Sequence, residues 1–281
     1  PSSKATGWHG LLVNLCSRAR LRSTGSELSV PPGPTLAALA LAIVVLPCVA
    51  LAQGGKPKAL LFRGTHYFLV SAQADETIHF TIDPYIPAKY ATKRPEVQLV
   101  SADGTTLLSR RGIDARFHGS ARAVQAGYCA LRVRGFRDWY QVRFTNRPFA
   151  VFHSQLQPLH ITGAARPLYF TVPADARRFR VYVQCDSPNE GAIVRVLAPT
   201  AEVVLEKTDQ FDPVTPLDVP VPPGQAGKIW AVELANPRLK GEGYGLDDTV
   251  IFFSENIPPV VSPDREALAQ ISEQLGPDHR R

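Results

Sequence analysis

The chain has 281 residues, of which 44% are hydrophobic and 20% are charged. This composition provides enough apolar side chains for a folded core, and it excludes a disordered chain and a collagen-like repeat. The 31 lysines and arginines exceed the 25 acidic residues and give a formal charge of +6. Because no run of basic residues exceeds two, we do not expect a nucleic-acid partner.

The first predicted element is a leader over residues 1–52. Residues 36–52 form an uncharged apolar segment that follows three arginines between positions 18 and 22 and ends in Ala50-Leu51-Ala52. A basic region, an apolar stretch and small residues before the cleavage position are typical of a secretory signal peptide. We therefore expect a protein secreted to the periplasm or the cell surface, with no membrane span after cleavage. A retained anchor is the alternative, since the segment approaches the length that spans a bilayer.

Short strands are predicted through almost all of the remaining chain. Runs of apolar or alternating residues are separated by turn signals that are rich in Gly, Pro and Asp. The predicted strands are Tyr67–Val70, Thr77–Ile82, Val97–Val100, Cys129–Val133, Tyr140–Phe144, Leu168–Val172, Phe179–Val183, Ile193–Leu197, Val203–Leu205, Ile229–Leu234 and Thr249–Phe253. Many short strands with few helical patterns predict an all-β, sandwich-type fold.

A weak internal repeat divides these strands into two units. The similar segments are Tyr67–Ala72 with Tyr169–Ala174, Val97–Val100 with Val194–Leu197, and Ala130–Val133 with Ala231–Leu234. Because they recur in the same order at a near-constant offset, we predict two tandem jelly-roll-like β-sandwich domains. Their predicted bounds are 57–152 and 159–258, with the boundary between Phe149 and Gly163.

The chain is predicted to end in a short helical tail over residues 259–281. Ser262 is the predicted N-cap and Pro263 the first helical residue. The apolar side chains Leu268, Ile271 and Leu275 would line one face of the helix before Gly276.

Two cysteines, Cys129 and Cys185, remain after the leader. Export permits a disulfide between them. Each lies in an apolar strand of a different predicted unit, however, which favours two separate buried thiols.

The first unit also carries a family resemblance. Its strands and turns contain His66–Val70, Ile78–Phe80, Val97–Val100 followed by Asp103-Gly104, Ala126-Gly127-Tyr128, and Trp139–Val142. This pattern resembles the bacterial pre-peptidase C-terminal (PPC) domain, a jelly-roll β-sandwich of secreted proteins, over residues 64–145 and more loosely over 166–254. Leu246-Asp247-Asp248 in the second unit is also similar to galactose-binding-like sandwiches. The resemblance implies a non-catalytic module of the kind that is usually appended to an enzyme.

Two groups of residues are candidates for ligand binding. A glycine-rich loop places Asp247 and Asp248 at the start of the last predicted strand, where carboxylates and loop carbonyls could hold Ca²⁺. In the alternative interpretation, one carboxylate caps the loop and the other is solvated. The second group consists of aromatic residues that could stack on the apolar faces of sugar rings: Tyr128, Trp139, Tyr140, Trp230 and Tyr244. For Trp230, flanked by Ile229 and Ala231, a place in the core is the competing interpretation.

Catalysis has little support in the sequence. There is no H-E-x-x-H zinc motif, no G-x-S-x-G nucleophile motif and no phosphate-binding glycine loop. His153-Ser154 is a dipeptide without a recognisable third partner. We therefore predict a secreted, non-catalytic binding or adhesion module that recognises carbohydrate or an envelope protein. The alternatives are a structural or protein-interaction module without a small ligand, and a secreted hydrolase whose site is assembled from distant residues.

Overall fold

The computed structural model describes residues 60–85, 94–101, 103–145, 147–185, 190–237 and 246–275. Its strands are β1 (Leu61–Ala72), β2 (Thr77–Tyr85), β3 (Glu96–Val100), β4 (Thr106–Arg110), β5 (Phe117–Arg122), β6 (Gly127–Phe144), β7 (Ala150–Phe152), β8 (Leu159–Thr162), β9 (Ala165–Thr171), β10 (Arg178–Cys185), β11 (Ala192–Leu197), β12 (Val203–Asp209), β13 (Thr215–Pro220), β14 (Ile229–Ala235), β15 (Asp248–Phe253) and β16 (Val260–Val261). A helix, α1 (Arg265–Leu275), follows. The predicted all-β, sandwich-like fold with a short C-terminal helix is confirmed. The predicted leader lies outside the described residues.

The strands form because apolar residues alternate with polar ones. In β10, Phe179, Val181 and Val183 are buried, whereas Arg178 and Arg180, which alternate with them, are exposed. Successive side chains of a strand point to opposite faces of a sheet, so this alternation gives each sheet one apolar side. The buried sides pack together in one hydrophobic cluster that contains residues from β1 through β15.

The strands form two sheets. The longer sheet has the order β13-β10-β15-β8-β1-β6-β2-β5. In addition, β3 pairs with β6 and β4 with β3, while β7 pairs with β1 and β16 with β7. The shorter sheet has the order β12-β11-β14-β9. All the pairings within both sheets are antiparallel.

The pairing pattern of residues 61–144, the first half, recurs over residues 159–253, the second half. The pairs β3·β4, β3·β6, β1·β6, β2·β6 and β2·β5 have the counterparts β11·β12, β11·β14, β9·β14, β10·β15 and β10·β13. The single strand β6 therefore makes the pairings that β14 and β15 divide between them. In the same way, β1 corresponds to β8 followed by β9.

The register refines the similarities found in the sequence. Gln98 is opposite Arg132, as Arg195 is opposite Glu233, in agreement with two of the three matched segments. The third match is displaced by two residues, because Leu69 is opposite Ala130 whereas Tyr169 is opposite Ala231. A shift of two residues keeps every side chain on the same face of the sheet, which explains why the sequence pattern conceals it.

The two halves meet where β1 pairs with β8. Phe62 lies opposite Ile161, and Leu61 lies opposite Thr162. Since β8 corresponds to the first part of β1, the strand order reads the same from either end of the sheet when counterparts are exchanged. The segment Phe149–Gly163, where we expect a boundary, thus contains β7 and β8, and β8 joins the halves into one sheet. The domain bounds 57–152 and 159–258 stay a prediction.

A glycine marks a local irregularity in each of the two long strands β1 and β6. The register of β1 shifts between Arg63 and Thr65, at Gly64, whose φ of +84° favours glycine. In β6, Gly135 lies against the ring of Tyr140, and a Cβ there would come within 2.4 Å of that ring. The Tyr140 ring can therefore approach the backbone this closely only because residue 135 has no side chain.

The helix α1 packs against β1 and β6, near the place where the two halves meet. Leu268 and Ile271 pack against Leu69 and Tyr128, as the sequence predicts for the apolar face of the helix. The predicted N-cap is wrong by two residues. Asp264 caps the helix, since its Oδ1 accepts hydrogen bonds from the amides of Glu266 (2.9 Å) and Ala267 (3.0 Å). Ser262 instead donates to the carbonyl of Phe149 (2.7 Å) and anchors the preceding chain.

Cys129 and Cys185 are both buried, and they form no disulfide with each other. The preference for two separate thiols over a disulfide is thus confirmed. Within the described ranges, no helix has the length and apolar character needed to cross a membrane.

Candidate functional site

The candidate site lies on the outer face, defined here as the side of the long sheet that points away from the core. Tyr85 of β2 and Trp139 of β6 are opposite each other there. Their rings are stacked, with planes 4° apart and centroids separated by 5.5 Å. Tyr85 is 61% exposed and Trp139 is half-buried. Two aromatic rings are therefore presented to solvent from neighbouring strands.

A second aromatic pair occupies the outer face in the second half. Tyr182 of β10 lies opposite Phe252 of β15, with ring planes 5° apart and centroids separated by 4.6 Å. Both residues are half-buried, and both are flanked in sequence by inward residues of the core. The alternation of β-strands places them on the same side of the sheet as Tyr85 and Trp139.

A polar cluster lies on β1, β8 and β15, between the two aromatic pairs. The buried carboxylate of Asp248 forms an ion pair with Arg63, and Thr162 donates a hydrogen bond to its Oδ1 (2.8 Å). His160 Nε2 is 3.4 Å from the same oxygen. The backbone amide of Asp248 donates to Glu190 Oε2 (3.0 Å). These contacts join the first half to the second, since Arg63 belongs to β1 and Asp248 to β15.

Beneath this cluster lies a buried histidine–tyrosine pair. His66 Nε2 accepts the backbone N–H of His160 (3.1 Å), and His66 Nδ1 is 2.8 Å from the hydroxyl of Tyr140. Nδ1 must therefore carry the proton of the neutral ring and donate it to Tyr140 Oη, which in turn faces the carbonyl of Val133 (3.4 Å). Burial, assisted by the nearby His160, lowers the pKa of His66 to about 3. Burial also raises the pKa of Tyr140 well above its usual value.

The structure places the other predicted aromatic residues away from solvent. Tyr140 is fully buried, and Trp230 is buried with its Nε1 donating to the carbonyl of Gln225 (3.0 Å). Tyr128 is covered by α1. These three rings stabilise the core and do not face a ligand, which corrects their inclusion among the candidates. Tyr244 lies outside the described residues.

The two predicted carboxylates have different environments. Asp247 is exposed, and its backbone carbonyl accepts the amide of Gly163 (2.6 Å), whereas Asp248 is buried in the ion pair with Arg63. In the part of the chain that the structure describes, no three His, Cys, Asp or Glu side chains form a group that could hold a metal ion. Residues 241–245 of the loop are not described, and a Ca²⁺ site there stays a prediction.

The histidine of the His153-Ser154 dipeptide is a core residue. Its ring packs on Phe253 with centroids 5.1 Å apart, and neither ring nitrogen has a hydrogen-bond partner among the described residues. Burial lowers the pKa of His153 to about 3. The hydroxyl of Ser154 accepts the amide of Gln157 (3.1 Å) and so belongs to a local turn. This arrangement offers no base for a serine nucleophile.

Three residues of the outer face were not among the candidates predicted from the sequence. Tyr85 follows Asp83-Pro84, a pair typical of a turn, although the strand continues through it. Tyr182 and Phe252 lie in predicted strands, but only the register shows that they are opposite each other. The alternation of polar and apolar residues in β10 indicates that Tyr182 points outward, whereas β15 is continuously apolar around Phe252 and gives no such signal.

A further residue beside Trp139 also escaped notice. Asp138 is 1% exposed, and neither of its carboxylate oxygens has a hydrogen-bond partner among the described residues. Burial raises its pKa, an effect that the charge of Arg94 opposes. A buried carboxylate without a partner is costly in a folded protein, and such groups occur frequently at functional sites.

Comparison with known proteins adds no assignment: no protein-family model and no curated protein matches the chain. The resemblance to PPC domains therefore stays a prediction from the quoted motifs.

Proposed function

We propose that this protein is a secreted, non-catalytic module that binds carbohydrate on the outer face. The observation that carries the proposal is the stacked pair of Tyr85 and Trp139, with Tyr85 61% exposed on a sheet surface. A single exposed tyrosine is common, but here two stacked rings on adjacent strands form a paired aromatic surface, which we call the platform. In the same proposal, the two halves are tandem PPC-like sandwiches.

The chemistry of the platform fits a sugar. A pyranose ring presents apolar C–H groups on its faces and hydroxyl groups at its rim. Aromatic rings attract such positively polarised C–H groups through their negative faces. Tyr85 and Trp139 would provide the apolar contact, and the neighbouring polar residues would satisfy the hydroxyls.

Polar partners are available in the adjacent strands. Arg63 lies opposite Trp139 in the ladder, and Gln141 lies opposite Asp83. Arg63 and Gln141 are both half-buried, so each combines a fixed position with some access to solvent. Binding sites for small molecules usually have this composition, with apolar contact area and a few placed polar groups.

The second aromatic pair indicates the size of the ligand. Three strand spacings, about 14 Å, separate β6 from β15. A monosaccharide on Trp139 would not reach Phe252, whereas an oligosaccharide of several units lying across the strands would contact both pairs. The proposal therefore favours a polysaccharide chain over a single sugar.

The alternative, a protein-interaction module, would be favoured by a long unprotected edge strand. The two ends of the long sheet are β13 and β5. The edge strand β13 contains Pro216 and Pro220, which cannot donate a backbone hydrogen bond. The edge strand β5 carries exposed His118, Ser120 and Arg122. These features protect both edges from pairing with another chain, so we favour the carbohydrate.

The proposal is tested by screening the full chain on a glycan array and measuring the best ligand by titration calorimetry. We expect Trp139→Ala and Tyr85→Ala each to weaken binding about tenfold or more, because each removes one ring of the platform. Tyr182→Ala should weaken the binding of long chains and leave the binding of short ones unchanged.

The matched control is Leu156→Ala, which removes an apolar side chain that is 85% exposed outside this sheet. It should leave the affinity unchanged. Binding that survives Trp139→Ala and Tyr85→Ala would move the site elsewhere. If the folded protein binds no glycan on the array, the proposal is wrong and the protein-interaction alternative takes its place.

A further inference from the structure

A second site of a different chemistry lies on the outward side of β3, β4 and β6. An open cavity of about 140 Å³ is lined there by four arginines, Arg110, Arg111, Arg132 and Arg134, and by the single carboxylate of Glu96. Four guanidinium groups thus face one acid. Such an excess of positive charge in one concave place favours an anion.

The cation of the cavity that is best held is Arg132. It is half-buried at the middle of β6, and its Nε lies inside the protein without a hydrogen-bond partner among the described residues. Its ladder neighbours are Gln98 on β3 and Tyr67 on β1, and Gln98 is in turn opposite Ser109. Both neighbours are neutral, so neither compensates the charge of Arg132.

The acid in the cavity is engaged only weakly. Glu96 is opposite Arg134 in the ladder, and the closest nitrogen–oxygen distance between them is 3.9 Å. The guanidinium of Arg134 also lies 4.4 Å from the centroid of the Phe136 ring, which holds it in place from the other side. A bound anion would therefore meet positioned guanidinium groups.

In the second half, the charges of the corresponding row of ladder positions compensate each other. At the positions of Gln98, Arg132 and Ser109, the second half has Arg195, Glu233 and Glu206. Arg195 donates to Glu206 (2.6 Å) and has Glu233 opposite it on the other side. One arginine between two acids is internally neutralised, whereas the row of the first half leaves its arginine unpaired.

From this uncompensated pocket we infer that the cavity binds a tetrahedral oxyanion, a phosphate or sulfate group that is free or carried as an ester on a larger molecule. Guanidinium groups bind such groups through parallel charge-assisted hydrogen bonds. Arg132 lines the cavity, and its charge has no acidic ladder neighbour to compensate it. The inference does not depend on the outer-face proposal, because Tyr85 and Trp139 do not line the cavity.

Titration calorimetry of the full chain with inorganic phosphate and with sulfate, at constant ionic strength, tests the inference. We expect saturable binding to one site, and acetate should not compete because it has a single charge and two oxygens. Arg132→Gln should weaken phosphate binding at least tenfold. The matched control Arg195→Gln, which removes the arginine of the corresponding ladder row in the second half, should leave it unchanged.

Additional variants and ligands separate the possible causes of a loss of phosphate binding. Trp139→Ala should retain phosphate binding even if it abolishes glycan binding, so the two proposals fail separately. If Arg132→Gln does not fold, the exposed variant Arg110→Gln/Arg111→Gln replaces it and should weaken binding several-fold. A sulfated and a phosphorylated form of the same saccharide distinguish the two ester sources. Absence of phosphate and sulfate binding, or equal binding by the wild type and the arginine variants, would overturn the inference.

Discussion

The two halves of the molecule share their strand pairings but differ in how they fill equivalent positions. In the first half, Phe80 of β2 lies opposite Gly119 of β5. The corresponding pair in the second half is Val181 of β10 and Leu217 of β13. The first half thus combines a large side chain with a glycine, which has no side chain, and the second half combines two side chains of intermediate size. The same place between the strands is thus filled by different residues in the two halves.

The polar positions differ in a more consequential way. The first half leaves Arg132 beside neutral neighbours, whereas the second half surrounds Arg195 with acids. The first half also buries His66 against Tyr140, and the residues that occupy the corresponding part of the second half include Thr249 and Cys185. The two halves therefore share their backbone pairing, while both their inward and their outward side chains differ.

The largest expected effect comes from imposing the packing of the second half on the first. A Cβ on Gly119 would lie 2.2 Å from the Phe80 ring. We expect Gly119→Leu to lower the free energy of unfolding by about 4 kcal/mol, beyond the usual overpacking range, because a whole side chain must enter a filled site. Urea denaturation measures this loss.

The double variant Gly119→Leu/Phe80→Val recreates the pair of the second half and should recover much of the lost stability. The two substitutions touch each other, so their effects should be strongly non-additive. A double variant that is as unstable as the sum of the single variants would show that the two halves do not use equivalent packing.

The next effect tests the ion pair that joins the halves. The side chains of Asp248 and Arg63 are 6% and 19% exposed. Asp248→Ala removes the partner of a largely buried guanidinium and the acceptor of the Thr162 hydroxyl, so we expect a loss of about 3 kcal/mol in the free energy of unfolding. Asp247→Ala is the control, since its side chain is exposed and only its backbone carbonyl binds Gly163. Equal losses in both variants would argue against a structural role for the ion pair.

The sequence could predict the parts of the fold that depend on local patterns of polar and apolar residues. The alternation in β10 and the apolar face of α1 identify a strand and a helix without any tertiary information. Several strands, among them β5, β7, β8 and β13, were not predicted because they are short or polar. For example, β5 is a sheet edge with three exposed polar residues, and β13 contains prolines. Such strands exist because their partners align them, which a local pattern does not record.

The candidate site was less predictable than the fold, for the same physical reason. Trp139 was identified from its polar surroundings in the sequence. Its partner Tyr85 is far away along the chain, and only the β2–β6 register places the two rings together. Asp248 was noticed as half of an acidic pair, but its real partner, Arg63, lies at the opposite end of the described chain. Long-range register determines both contacts.

The smallest expected effect concerns acid stability, which should originate outside the second half. The buried His66 and His153 both lie outside residues 159–253, the second half. Burial lowers the pKa of each from 6.5 to about 3. As the pH falls below 6.5, the unfolded chain binds protons that the folded chain does not, so the free energy of unfolding decreases. At pH 5 each group should contribute a loss of about 2 kcal/mol relative to pH 7.

His153→Phe isolates one of these contributions, because neither nitrogen of His153 has a partner within the described part of the chain and the ring already packs on Phe253. Urea denaturation at pH 7 and pH 5 should show that this variant loses about 2 kcal/mol less on acidification than the wild type does. His79→Gln, at an exposed position on β2, should follow the wild-type curve. If His153→Phe were as acid-sensitive as the wild type, the burial of His153 would not contribute to the acid sensitivity, which would then come from other groups such as His66.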